Sequence, residues 1–102
     1  MNIVYVPCKD KVEAKRIAKK LVEQKLAICI NIINPVDSIY LWKGKVAESH
    51  ESLLIIKTYE RLVGNVITQI KKLHSYNLPD IISWKIDKTT LEVEKWSGEE
   101  LE

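Results

Sequence analysis

The chain reads as an α+β domain in which two helices cover one face of a four-stranded antiparallel sheet, in the order βαββαβ, followed by a short C-terminal helix. Three observations predict this. Apolar residues recur with a helical period in two stretches, residues 14–22 and 62–73. Compact β-rich runs stand before, between and after those stretches. Two of the runs, residues 37–42 and 45–58, are separated only by Lys43-Gly44, a dipeptide suited to a tight hairpin turn.

Residues 2–6 (NIVYV) form the first strand, and Pro7-Cys8-Lys9-Asp10 breaks it. Asp10 with Glu13 three positions on has the form of a capping box and opens the first helix. Ala14, Ile17, Ala18, Leu21 and Val22 line one face of that helix, with Lys15, Arg16, Lys19, Lys20 and Glu23 on the other. Residues 27–33 are almost continuously apolar, which predicts a strand buried on both faces. Asn34-Pro35 interrupts it. Residues 37–42 continue extended, with Ile39 and Leu41 alternating against Tyr40 and Trp42. The turn falls at Lys43-Gly44, with Glu48-Ser49-His50 as the alternative, and the next long strand runs to Thr58.

A second helix spans residues 59–74, burying Leu62, Val63, Val66, Ile67, Ile70 and Leu73. Beyond Pro79, Ile81, Ile82, Trp84 and Ile86 make a final strand. Thr89 with Glu92 repeats the capping pattern and predicts a terminal helix that stops near Ser97-Gly98, leaving residues 99–102 as an acidic tail. This order with a central hairpin is the ferredoxin-like, split βαβ arrangement.

At 102 residues the chain is read as one domain, residues 1–102, with no internal linker or low-complexity run. Sixteen basic residues nearly balance fourteen acidic ones, and only Arg16 and Arg61 are arginines, which argues against a nucleic-acid partner. Two cysteines, Cys8 and Cys29, stand far apart and outside any CxxC pattern, so a disulfide scaffold is excluded and the reduced cytoplasm is expected. No leader-like segment follows Met1, and no apolar run approaches the ~20 residues that span a bilayer.

The strand over residues 45–58 is too long for a lone protomer. At ~3.4 Å per residue it reaches nearly 50 Å, against a radius of gyration of ~13 Å for a domain of this size. The hairpin must overhang the sheet and carry Tyr40 and Trp42 with it. Exposed strand edges and aromatic side chains suit pairing with another chain, so a homo-oligomer built by hairpin exchange is expected.

Several blocks resemble the CutA (divalent-cation tolerance) family. They are Ile17-Ala18-Lys19-Lys20-Leu21-Val22-Glu23 with Leu26-Ala27-Ile28-Cys29-Ile30-Asn31-Ile32, then Ser38-Ile39-Tyr40-Leu41-Trp42-Lys43-Gly44-Lys45, then Leu54-Ile55-Ile56-Lys57-Thr58, and finally His74-Ser75-Tyr76 with Pro79-Asp80-Ile81-Ile82. They stand in the family's order from residue 3 to about 86. Ser75 replaces the family's usual Pro, Asp80 its common Glu, and Val6 stands where some members carry a cysteine linked to metal. The resemblance implies a ferredoxin-like homotrimer linked to copper and other divalent cations, and it attaches no reaction.

Metal binding needs clustered His, Cys or carboxylate groups. His74 and Asp80, on either side of a turn at Pro79, are the candidate ligands, supported by their match to the family's His and Glu. A dipole-stabilised histidine at a helix C-terminus is the alternative for His74. Cys8 is a lesser candidate, placed before a helix N-terminus where a thiolate is favoured. Cys29 reads as core, and His50, between Glu48 and Glu51, as a solvated turn residue. Lys57, at a strand end after four apolar residues, is a candidate to point into a cleft between subunits with Tyr76, Trp42 and Tyr40. That cleft supports a rival function, a trimeric module that senses a small anionic molecule. Enzyme motifs are lacking: there is no GxSxG, no Gly-rich phosphate loop and no HExxH. The chain is therefore read as a binding protein.

Overall fold

The computed structural model describes residues 1–101. Its elements are β1 (Asn2–Cys8), α1 (Lys11–Glu23), β2 (Cys29–Trp42), β3 (Lys45–Thr58), α2 (Glu60–Leu73), β4 (Ile82–Lys85) and α3 (Leu91–Leu101). The sheet order is β2-β3-β1-β4, with β1 and β3 central. Every pairing is antiparallel. This is the expected ferredoxin-like architecture.

Alternation along the strands divides the sheet into two unlike faces. Val4 and Val6 of β1 and Leu54 and Ile56 of β3 point to one face. There they pack with Ala14, Ile17, Ala18 and Leu21 of α1 and with Val66 and Ile70 of α2. Burying each of the larger side chains contributes about 1.5–3 kcal/mol. The other face aligns Ile3, Tyr5, Ile55, Ile82 and Trp84 by strand register, opposite the face on which α1 and α2 pack among the described residues. Ile82 and Trp84 stay about half exposed. The expectation that residues 27–33 are buried on both faces is thus corrected within a single protomer. Asn31 and Ile33 are exposed, because α1 and α2 both lie on the opposite side.

The long hairpin forms as expected. Lys43 and Gly44 both take positive φ, 51° and 77°, as a two-residue turn matched to strand twist requires. The β2–β3 register shifts between Ile33 and Val36, at the Asn34-Pro35 interruption, so one continuous strand replaces two runs. There the Ser52 hydroxyl donates to Asn34 Oδ1. β1 ends at the Cys8–Ser52 pair. Beyond it Val36–Trp42 and Lys45–Glu51 continue as a bare two-stranded ribbon, about 24 Å long. The molecule is accordingly 45 Å in its longest dimension. Ile39, Leu41 and Val46 on the ribbon are 69%, 77% and 72% exposed.

The C-terminal helix differs from expectation at both ends. Its N-terminal hydrogen bond runs from the Val93 N–H to Thr90 Oγ1 at 3.2 Å, one residue after the predicted cap. It also continues through Gly98 to Leu101, so residues 99–101 are helical and not tail; residue 102 lies outside the described residues. Tertiary contacts account for the extension. Ser97 is fully buried and its hydroxyl meets the Tyr59 hydroxyl at 2.7 Å, and Leu101 is buried as well.

Candidate functional site

The end of β1, the start of α1 and the end of α2 converge on one point. Asp10 caps α1 by accepting from the Glu13 N–H at 2.8 Å. The Glu13 carboxylate does more than close a capping box. Its Oε1 accepts from the Lys9 N–H at 3.1 Å and its Oε2 from the Ser75 N–H at 2.9 Å. It is 2% exposed. Burial opposes its ionisation, but the hydrogen bonds from Ser75 and Lys9 prevail, holding the carboxyl below its ordinary value. Arg16 lies at the rim, 3.8 Å from Glu13 Oε2, and donates to the Leu73 carbonyl at 2.9 Å.

His74 follows the last turn of α2 and is buried. The Tyr76 N–H donates to its Nδ1 at 3.1 Å, so Nδ1 carries no proton. Nε2 carries it and donates to the Pro7 carbonyl at 2.8 Å. The unprotonated Nδ1 lies 3.9 Å from Glu13 Oε1. The Tyr76 ring packs against the imidazole, centroids 4.7 Å apart, and its hydroxyl donates to Glu51 Oε2 at 2.8 Å. Burial, with Glu51 beside it, raises the Tyr76 phenol above its ordinary range.

Cys8 completes the group. One ligand atom from each of Cys8, Glu13 and His74 lies within 4.8 Å of the others, all three buried, and the set forms a potential metal-ligating cluster among the described residues. The expectation of a favoured thiolate at Cys8 is overturned. Burial first, then the charges of Glu13 and Glu51, push the thiol up to about 12. Proximity to a helix start does not help a sulfur enclosed beside two carboxylates.

The other predicted site residues fall elsewhere. Asp80 is exposed on the segment leading to β4 and is not part of the cluster. Lys57 is half-buried on the uncovered face, paired in register with Ile3 and Cys29. Trp42 sits at the hairpin tip opposite Lys45, about 40 Å along β3 from Lys57. One protomer therefore does not gather Lys57, Tyr76 and Trp42 into a cleft, and Tyr40 lies out on the same ribbon as Trp42. Cys29 is half-buried, as a free thiol. His50 is exposed and meets Asp37 across the ribbon at 2.6 Å. Two participants are not legible in the sequence: Glu13 has the spacing of a capping box, and Glu51 sits in a polar run that reads as solvated. The detectable sign was Glu13 one position before the buried stripe of α1, a carboxylate at the margin of the core face.

Fold and site together define a small ferredoxin-like protein with a buried thiol, carboxylate and imidazole at the junction of three elements. The family described as CutA1 divalent ion tolerance protein matches residues 2–100, and the chain belongs to that family. The protein CutA homolog of Xenopus laevis is 39% identical over 97% of this chain. The chloroplastic protein CutA 1 of Oryza sativa is 38% identical over 92%. The chain spans 66% and 53% of the length of those two relatives. The solved structure of the periplasmic divalent cation tolerance protein CutA from Archaeoglobus fulgidus superposes with a TM-score of 0.95 at 37% identity, covering 99% of this chain and 98% of that one. No described helix is long and apolar enough to cross a membrane.

Proposed function

We propose that the protein binds divalent metal ions, with copper the leading candidate, and contributes to cation tolerance as a homotrimer and not as an enzyme. The convergence of His74 with a carboxylate and a thiol inside 4.8 Å carries this reading. Imidazole and sulfur donors suit copper and zinc, which is the chemistry that family membership calls for. His74 is the central ligand of this reading, beside Glu13 and Cys8; Asp80, the partner that the family resemblance suggests, is exposed and outside that cluster.

The trimer is supported by surfaces that a lone protomer leaves open. The uncovered sheet face and the ribbon carry Ile33, Ile39, Leu41, Trp42, Val46, Ile82 and Trp84 into solvent. Patches of this kind mark association surfaces, and an unpaired ribbon offers strand edges to a neighbour. Two unbridged cysteines agree with a reducing compartment, the cytoplasm. The rival sensor reading requires the hairpin of a neighbouring subunit to bring Trp42 near Lys57.

Calorimetric titration of the chelator-stripped protein with Cu(II), beside His74→Ala, tests the reading. Saturable binding near one ion per protomer, lost in the variant, is expected. Absence of binding, or binding unchanged by the variant, would favour the rival sensor reading instead.

A further inference from the structure

We infer that the outward face of the helical layer, along the groove between α1 and α2, is a docking surface for an extended, acidic segment of another protein. The inference stands apart from the ion-binding reading and uses none of its ligands.

The near balance of charge over the whole chain conceals a segregation. Residues 9–25 and 60–72, which hold α1 and almost all of α2, carry ten of the sixteen basic residues and four of the fourteen acidic ones. The rest of the chain carries six basic and ten acidic residues. All ten cations of the helical layer are exposed, whereas Glu13, one of its four acids, is buried against the Lys9 and Ser75 N–H groups. Core packing brings the cations together. Both helices turn their apolar residues to the sheet, Ile17 and Leu21 from α1 with Val66 and Ile70 from α2. Their polar residues therefore share the outer side, away from the apolar sheet face. A surface of one sign attracts and orients a partner of the other.

A groove gives this charge a shape. Arg16, Lys20 and Gln24 stand four apart, on one stripe of α1. Arg16 reaches the Leu73 carbonyl at the end of α2. Gln24 lines an open groove of about 420 Å³ with Leu26 and with Asn65, Thr68, Gln69 and Lys72 of α2. Lys20, between Arg16 and Gln24, borders the same track. The groove offers amide groups, which both donate and accept as a peptide main chain requires, with ammonium groups beside them for carboxylates. Farther out on α1, Lys11, Lys15 and Lys19 rise about 6 Å apart. Alternate side chains of an extended strand are spaced by ~7 Å, so a segment with acids at alternate positions meets these lysines nearly in register.

Other polyanions fit this face less well. Neither helix carries an aromatic side chain, so a nucleic-acid strand finds no stacking platform. Only Arg16 and Arg61 among the ten cations have the fork that grips phosphate, and Arg16 already donates to Leu73. The large apolar side chains exposed on α1 are Val12 and Val22, which are not the bulky anchors that seat a helix in a bilayer interface.

Fluorescence anisotropy of a labelled peptide of alternating Glu and Ser, about eight residues long so as to span α1, reads binding to the full chain. Saturable binding is expected, weakened by added salt and absent when Gln replaces Glu in the peptide. Lys20→Glu with Lys72→Glu should weaken it by at least ~10-fold. Asn65→Ala with Gln69→Ala should weaken it by ~5-fold with an unchanged salt dependence. Lys88→Gln with Lys95→Gln, outside the helical layer, should leave it unchanged. Circular dichroism verifies that each variant folds. Absence of binding, an equal loss in the Lys88 and Lys95 variant, or no effect of the amide variant overturns the docking surface. Tighter binding of a single-stranded oligonucleotide of equal charge, or of phosphatidylserine vesicles, overturns the acidic protein segment as its occupant. So does growth of the wild-type solution mass beyond the trimer that Lys20→Glu with Lys72→Glu abolishes, which would place the acidic α3 of another copy on this face.

Discussion

His74 donates its Nε2–H to the carbonyl of Pro7 at 2.8 Å, tying the residue that ends α2 to the last turn of chain in β1, 67 positions earlier. The bond is buried and holds together the elements that bear the candidate ligands. His74→Ala strips the Pro7 carbonyl and the Tyr76 N–H of their partner. We expect a loss of about 2–3 kcal/mol, read as a lower urea midpoint with an unchanged slope.

Glu13 links stability to pH. Its carboxyl is held below the ordinary value of 4.5 in the folded chain. A depressed folded value means that the ionised group stabilises the fold above the unfolded value, and that this contribution disappears as pH falls through the folded one. Unfolding followed from neutral pH downward is expected to weaken below about 4.5. Glu13→Gln should flatten that decline, the variant being less stable at neutral pH and closer to wild type in acid.

The Cys8 thiol, pushed up to about 12, has almost no thiolate at neutral pH. Iodoacetamide should leave it unmodified in the native protein and label it once the chain is denatured. Mass spectrometry of the peptide bearing Cys8 reads the difference. Labelling of native Cys8 at the rate of an ordinary exposed thiol would contradict its placement.

The last helix offers two neighbouring substitutions of opposite sign. Ser97→Ala removes the buried contact to the Tyr59 hydroxyl and should cost about 1 kcal/mol. Gly98→Ala places a methyl 3.6 Å from that hydroxyl, an ordinary contact, and should gain up to about 1 kcal/mol from helix propensity. Thermal unfolding of the two variants checks both directions.

Charging the ribbon tests the assembly. Leu41→Lys with Trp42→Lys is expected to reduce the solution mass from three times the 11.8 kDa protomer to that of a single chain. Light scattering distinguishes the two. A wild-type protein that already runs as a monomer would contradict the trimer.

Much of the fold was legible because each element satisfied its own local rule. Asp10 caps α1, Lys43-Gly44 turns the hairpin, and the apolar residues of α1 and α2 fall on the core face. What escaped depends on contacts distant in sequence. The Asp10–Glu13 spacing reads as a cap, and nothing local reveals that Ser75, 62 positions on, also donates to Glu13. Helix α3 passes the glycine expected to stop it because Tyr59 holds Ser97. The apolar run at residues 27–33 correctly announced burial-seeking side chains, yet Ile33 points to a face that one protomer leaves bare. Of the candidate ligands, His74 enters the cluster, Cys8 enters it as a thiol instead of a thiolate, and Asp80 stays outside.

The central claim is that this junction binds a divalent ion. Crystals grown with Zn(II) and measured at the zinc absorption edge would locate the ion directly. The account predicts an anomalous peak about 2.0–2.1 Å from His74 Nδ1 and about 2.3 Å from Cys8 Sγ. A peak only at the exposed Asp37–His50 pair, or at Asp80 with His74 uninvolved, would contradict it.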